Sequence, residues 1–198
     1  ETCLCLHGQP TWSYLYRKMI PVFAAAGHRV IAPDMLGFGR SDKPRDEAVY
    51  TFHFHRNMLI ALIEALDLKQ VTLVCQDWGG ILGLTIPPAM PDRFVRLLVM
   101  NTTIPCGEPV SEGFERWRAF NRSQPDLDIA GLMQRSQPDM RDDEAAGYDA
   151  PFPDAGYKAG VRRFPELVMT DPGMDGIAEA KRALEFWRDQ WSGPTFMA

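Results

Sequence analysis

Ten residues constrain this chain more than any others: Val71-Thr72-Leu73-Val74-Cys75-Gln76-Asp77-Trp78-Gly79-Gly80. They open with an apolar, β-branched run of strand length and close with glycines that lead into a helical pattern. A strand that turns sharply into a helix leaves little backbone space, so the residues two before and two after the turn must be small. Cys75 and Gly79 meet that demand around Asp77. The common form of this turn, Gly-x-Ser-x-Gly, presents a serine nucleophile, and here the centre is aspartate. Aspartate is also favoured as a plain helix N-cap. The small-x-Asp-x-small frame, the apolar strand before it and the His7-Gly8 loop upstream favour a nucleophile.

The rest of the chain supplies the scaffold for such a turn. Short β-branched runs (Thr2 to Leu6, Arg29 to Ala32, Val71 to Gln76, Leu97 to Asn101) alternate with stretches of helical period. That alternation predicts an α/β fold, a mostly parallel sheet with helices on both faces. Trp12 to Ala26 keeps an apolar stripe through Tyr14, Met19, Val22 and Phe23 and is expected to be one helix, ended by Gly27. Phe54 to Leu66 is expected to be another. After Thr102 the pattern is helical, broken by Pro, Gly and Asp, with no strand until Thr195-Phe196-Met197-Ala198. The expected organisation is a core over 1–101, a helical cap over 102–192 and the start of a further core strand over 193–198.

The chemistry follows from the atoms. A carboxylate at the positive end of a helix is expected to stay ionised at neutral pH. It is a poor nucleophile towards amides, but it can displace a leaving group from an sp3 carbon and form an alkyl ester. Hydrolysis of that ester passes through an oxyanion, and the expected donors are the backbone N–H groups of Trp78 and Gln9.

Composition removes other classes of function. A net charge of −5 offers no basic surface for nucleic acid or anionic lipid. No apolar run reaches the roughly 18 residues of a membrane span. The cysteines, Cys3, Cys5, Cys75 and Cys106, form no CxxC pair and have no histidine at ligand spacing, so they read as small buried hydrophobes and no metal or cofactor is expected. Free buried thiols fit a reducing compartment, and a cytoplasmic location is expected.

Taken together, Leu6-His7-Gly8-Gln9-Pro10-Thr11-Trp12, Pro33-Asp34-Met35-Leu36-Gly37-Phe38-Gly39-Arg40-Ser41-Asp42-Lys43-Pro44 and Gln76-Asp77-Trp78-Gly79 resemble the haloalkane dehalogenases of the α/β-hydrolase fold. Asp149-Ala150-Pro151-Phe152-Pro153-Asp154 extends the likeness, which is closest to the branch of the dichloroethane-degrading enzyme. The resemblance implies displacement of halide by Asp77, with the halide held by the indole N–H groups of Trp78 and Trp117. It places Phe114, three residues before Trp117, in the substrate cavity. The implied partners are a small halogenated alkane, water and halide, and the chain is expected to act as a monomer.

The chain also departs from the family. Gln9 stands where many members of the branch have Glu, and a side-chain role towards halide stays open for it. Asn101 is not the acid that some members carry after that strand, and His7, His28, His53 and His55 do not supply the base. His53 and His55, at the start of a helix, are expected to be surface or capping residues. Acid and base are therefore expected beyond Ala198, and the chain is expected to be truncated at both ends. The rivals are an epoxide hydrolase with Tyr148 and Tyr157 as proton donors, and a catalytically incomplete, binding-only remnant.

Overall fold

The computed structural model describes residues 1–198. Five strands form one sheet: β1 (Thr2–Leu6), β2 (Arg29–Ile31), β3 (Val71–Gln76), β4 (Phe94–Met100) and β5 (Thr195–Met197). Their order is β2-β1-β3-β4-β5, and every pairing is parallel. β1 is buried along its whole length, as a strand covered on both faces must be. Cys3 and Cys5 pack with Tyr16 and Val74 on one side of the sheet, and Cys75 packs in the larger core on the other. No helix is long and apolar enough to cross a membrane.

Eight α-helices accompany the sheet. α1 (Ile20–Ala25), α2 (Phe52–Ala65) and α3 (Trp78–Gly83) lie among the first four strands. α4 (Glu112–Ser123), α5 (Ile129–Ser136), α6 (Asp142–Asp149), α7 (Ala159–Arg163) and α8 (Ile177–Asp189) fill the stretch between β4 and β5, which holds no strand.

Two expectations need correction. The single helix over Trp12 to Ala26 is instead a 3-10 turn, Ser13–Tyr16, followed by the short α1. Pro21 is the reason: it has no N–H to give the Arg17 carbonyl, and it sits in the first turn of α1, where that N–H is not needed. Long-range bonds fix the residues before it. The Tyr16 hydroxyl donates to the Leu6 carbonyl at 2.7 Å, and the Trp12 indole donates to the Gly147 carbonyl at 3.0 Å.

His55 is the second. It is neither a surface residue nor a cap, because Phe52, His55, Leu59 and Ile63 form the buried stripe of α2. The cap is Thr51, whose hydroxyl oxygen accepts the Phe54 N–H at 3.1 Å. His55 stacks on Tyr50, while His53 stays half-exposed between Asp175 and Glu179.

Candidate active site

Strand register brings the key loops together. Leu6 at the end of β1 pairs with Cys75 near the end of β3. The chain leaving β1 as His7-Gly8-Gln9 therefore runs beside the chain leaving β3 at Asp77. Strand order reverses between β1 and β3, and a parallel sheet opens its crevice outside the carboxyl ends of the strands at such a point.

Asp77 occupies that crevice in a strained backbone conformation, φ 51° and ψ −123°. Its side chain makes no capping bond to α3. Instead, Oδ1 accepts the Gln9 backbone N–H at 2.8 Å, which is not how an N-cap behaves. The main chain is pinned as well: the Asp77 N–H donates to the Asn101 carbonyl at 3.2 Å, and the Thr102 hydroxyl donates to the Asp77 carbonyl at 2.6 Å. No sequence signal singled out Thr102. The neighbours are tight enough to demand glycine, since a Cβ on Gly79 would stand 1.9 Å from the Leu6 carbonyl oxygen.

Two opposing effects act on the Asp77 carboxyl. Burial pushes its carboxyl pKa up, and the backbone N–H groups of Trp78 and Gln9 pull it back only in part.

His7 ties down the loop that carries Gln9. It is fully buried; Nδ1–H donates to the Gly8 carbonyl and Nε2 accepts the Met35 N–H, both at 2.9 Å. These two partners require the neutral ring with its proton on Nδ1. Burial pushes its pKa down to about 4. An unfolded histidine titrates near 6.5, so this contribution to stability is complete above about pH 6.5 and is lost as pH falls through about 4. The full loss is roughly 3 kcal/mol. The His7 ring resonances are expected to stay flat from pH 8 to 5, and a midpoint near 6.5 would contradict the lock.

A cavity of about 510 Å³ opens on Asp77, and Gln9, Trp78, Phe114 and Trp117 all line it. The structure thus brings Asp77, Gln9, Trp78, Phe114 and Trp117, the residues expected to form the dehalogenase site, to one space. Ile81, Pro165 and Val168 add apolar wall. Of the five tryptophans, Trp12, Trp187 and Trp191 each donate their indole N–H to a protein oxygen. Trp78 and Trp117, the two that line the cavity, have no protein acceptor, and neither indole nitrogen is fully buried. The Gln9 side chain turns away to donate to the Val161 carbonyl at 2.9 Å. Tyr148 and Tyr157 do not line the cavity; the Tyr148 hydroxyl accepts a bond from Arg17 at 3.0 Å. None of the four histidines lines it either.

Comparison with known proteins agrees with this fold. A family model described as alpha/beta hydrolase fold matches residues 2–149. A haloalkane dehalogenase of Psychrobacter cryohalolentis is 45% identical over 98% of this chain and 64% of its own length. Haloalkane dehalogenase 1 of Mycobacterium bovis is 47% identical over 96% of this chain and 63% of its own. The solved structure of the tetrameric haloalkane dehalogenase DpaA from Paraglaciecola agarilytica matches with a TM-score of 0.97 at 58% identity, over 99% of this chain and 66% of that one. The chain spans just under two thirds of the length of these relatives.

Proposed function

The chain belongs to the α/β-hydrolase fold family and is homologous to haloalkane dehalogenases; from that premise we propose that the protein containing it displaces halide from short haloalkanes, with Asp77 as nucleophile. One observation carries the reading. The two tryptophans whose indole N–H groups have no protein acceptor line the same cavity as the carboxylate. An indole offers a donor on an apolar ring and no base, so it suits a halide leaving into a dry site.

In the proposed reaction an Asp77 carboxylate oxygen attacks the carbon that bears the halogen. The carbon–halogen bond breaks, and its electron pair leaves with the halide towards Trp78 and Trp117. An alkyl ester remains on Asp77. Water then adds to the ester carbonyl, and the oxyanion is met by the backbone N–H groups of Gln9 and Trp78. Collapse releases the alcohol and restores the carboxylate. No histidine lines the cavity, so activation of that water is assigned to a base outside residues 1–198. Residues 102–192 act as the cap, with Phe114 and Trp117 on its inner face.

The test uses the full-length protein with 1,2-dibromoethane, 1-bromobutane and styrene oxide. Bromide release from the first two is expected, and diol from styrene oxide without bromide release would sink the proposal. Trp117→Phe removes one donor to the anion. Bromide binding, read from tryptophan quenching, should weaken about tenfold or more, because a hydrogen bond to a charge is worth roughly 1.5–3 kcal/mol. Unchanged binding would remove Trp117 from the halide site.

A further inference from the structure

The carbonyls in the last turn of a helix have no donor within that helix. At the end of α7 they are claimed by side chains from two directions. The Val161 carbonyl accepts Gln9 Nε2–H at 2.9 Å and Asn121 Nδ2–H at 3.2 Å, and the Arg162 carbonyl accepts Asn121 Nδ2–H at 3.2 Å. Just beyond, Phe164 meets the Trp78 ring edge-on, with centroids 4.8 Å apart. One short joint therefore touches the residue beneath Asp77, the helix that carries Trp117, and Trp78 itself.

Asn121 is 0% exposed. On α4 it stands one turn past Trp117 and seven residues past Phe114, so all three share one face of the helix. A buried amide is costly unless bonded: here Nδ2 bonds both carbonyls while Oδ1 is buried without a partner, and reversing the amide would set that oxygen against two carbonyls. Its orientation is fixed, and with it the rotation of α4 about its own axis. That rotation also sets the direction in which the Trp117 side chain, one turn away, leaves the helix.

We propose that Asn121 is a positioning residue: it aims the Trp117 N–H into the cavity and, through the carbonyl shared with Gln9, holds it in register with the Gln9 N–H on Asp77. The proposal rests on the halide reading for its consequence in catalysis, though not for its geometry. Asn121→Leu removes both donors at nearly constant volume. Asn121→Ser keeps one hydroxyl donor and serves where the leucine variant does not fold. Both are made in the full-length protein, with 5-fluorotryptophan incorporated and the Trp117 resonance assigned from Trp117→Phe. The Trp117 fluorine resonance is expected to shift in each variant. The bromide dissociation constant should rise about three- to tenfold, the worth of one or two neutral hydrogen bonds. KM for 1-bromobutane should rise with it, the serine variant lying between wild type and leucine. A lower melting temperature with the Trp117 resonance and bromide affinity unchanged would overturn the proposal, leaving Asn121 a packing residue. If wild type neither binds nor releases bromide, the halide reading fails, and the Trp117 resonance still decides whether Asn121 positions that ring.

Discussion

Asp77→Gly in the full-length protein is expected to cut bromide release from 1-bromobutane by roughly 10⁴-fold or more, because Asp77 is the nucleophile of the proposed ester-forming step. The same change should raise the melting temperature. Asp77 holds φ at 51°, a conformation that glycine adopts freely and that costs other residues about 1–3 kcal/mol. Glycine also removes a carboxyl that burial disfavours in its charged form. After the entropy glycine adds to the unfolded chain, a gain of about 1 kcal/mol remains, or roughly 2–4 °C. Loss of activity with a gain in stability would mark a residue kept for chemistry at the expense of the fold. Turnover above background would sink the nucleophile assignment, and a lower melting temperature would sink the strain argument.

The largest loss of stability is expected two residues on. A Cβ on Gly79 would stand 1.9 Å from the Leu6 carbonyl oxygen and 2.7 Å from that of His7. Both are main-chain atoms of β1 and its exit, so no side chain can swing aside. Gly79→Ala must push α3 off the sheet where Leu6 pairs with Cys75, at about 3–5 kcal/mol. A useful control is Gly113→Ala in α4, where a Cβ would meet only the Ser111 hydroxyl, at 3.7 Å. That change is expected to be neutral or to stabilise by up to about 1 kcal/mol. Urea denaturation of both variants separates the cases, and equal stabilities would refute the close approach at Gly79.

What the sequence revealed depended on how local the cause was. The turn at Asp77 was legible because its requirements, a buried strand before it and small residues on either side, are met by neighbours in the chain. The β3 boundaries matched the structure for the same reason. The stretch from Trp12 to Ala26 was misread because its apolar stripe outweighed the one decisive residue, Pro21. His55 was misplaced because a histidine near a helix start suggests a polar role, while its spacing from Phe52 and Leu59 put it on the buried face. Asn121 could not be found at all. Its partners lie 40 and 41 residues away on α7, and nothing local distinguishes it from an exposed asparagine.

The buried thiols carry one last consequence. Haloalkanes are alkylating agents, and a thiolate is the nucleophile they would meet most readily in a protein. Cys75 stands two residues from Asp77, yet burial pushes its pKa up to about 12, and that of Cys5 likewise. Burial raises Cys3 and Cys106 as well. At neutral pH a thiol with a pKa near 12 is ionised in about one molecule in 10⁵. A protein proposed to process such substrates thus offers them one ester-forming carboxylate, from which they can be released, and withholds the sulfurs that would keep them as permanent thioethers. Under the proposed activity, the packing of four cysteines into the core would keep them from alkylation by the substrate.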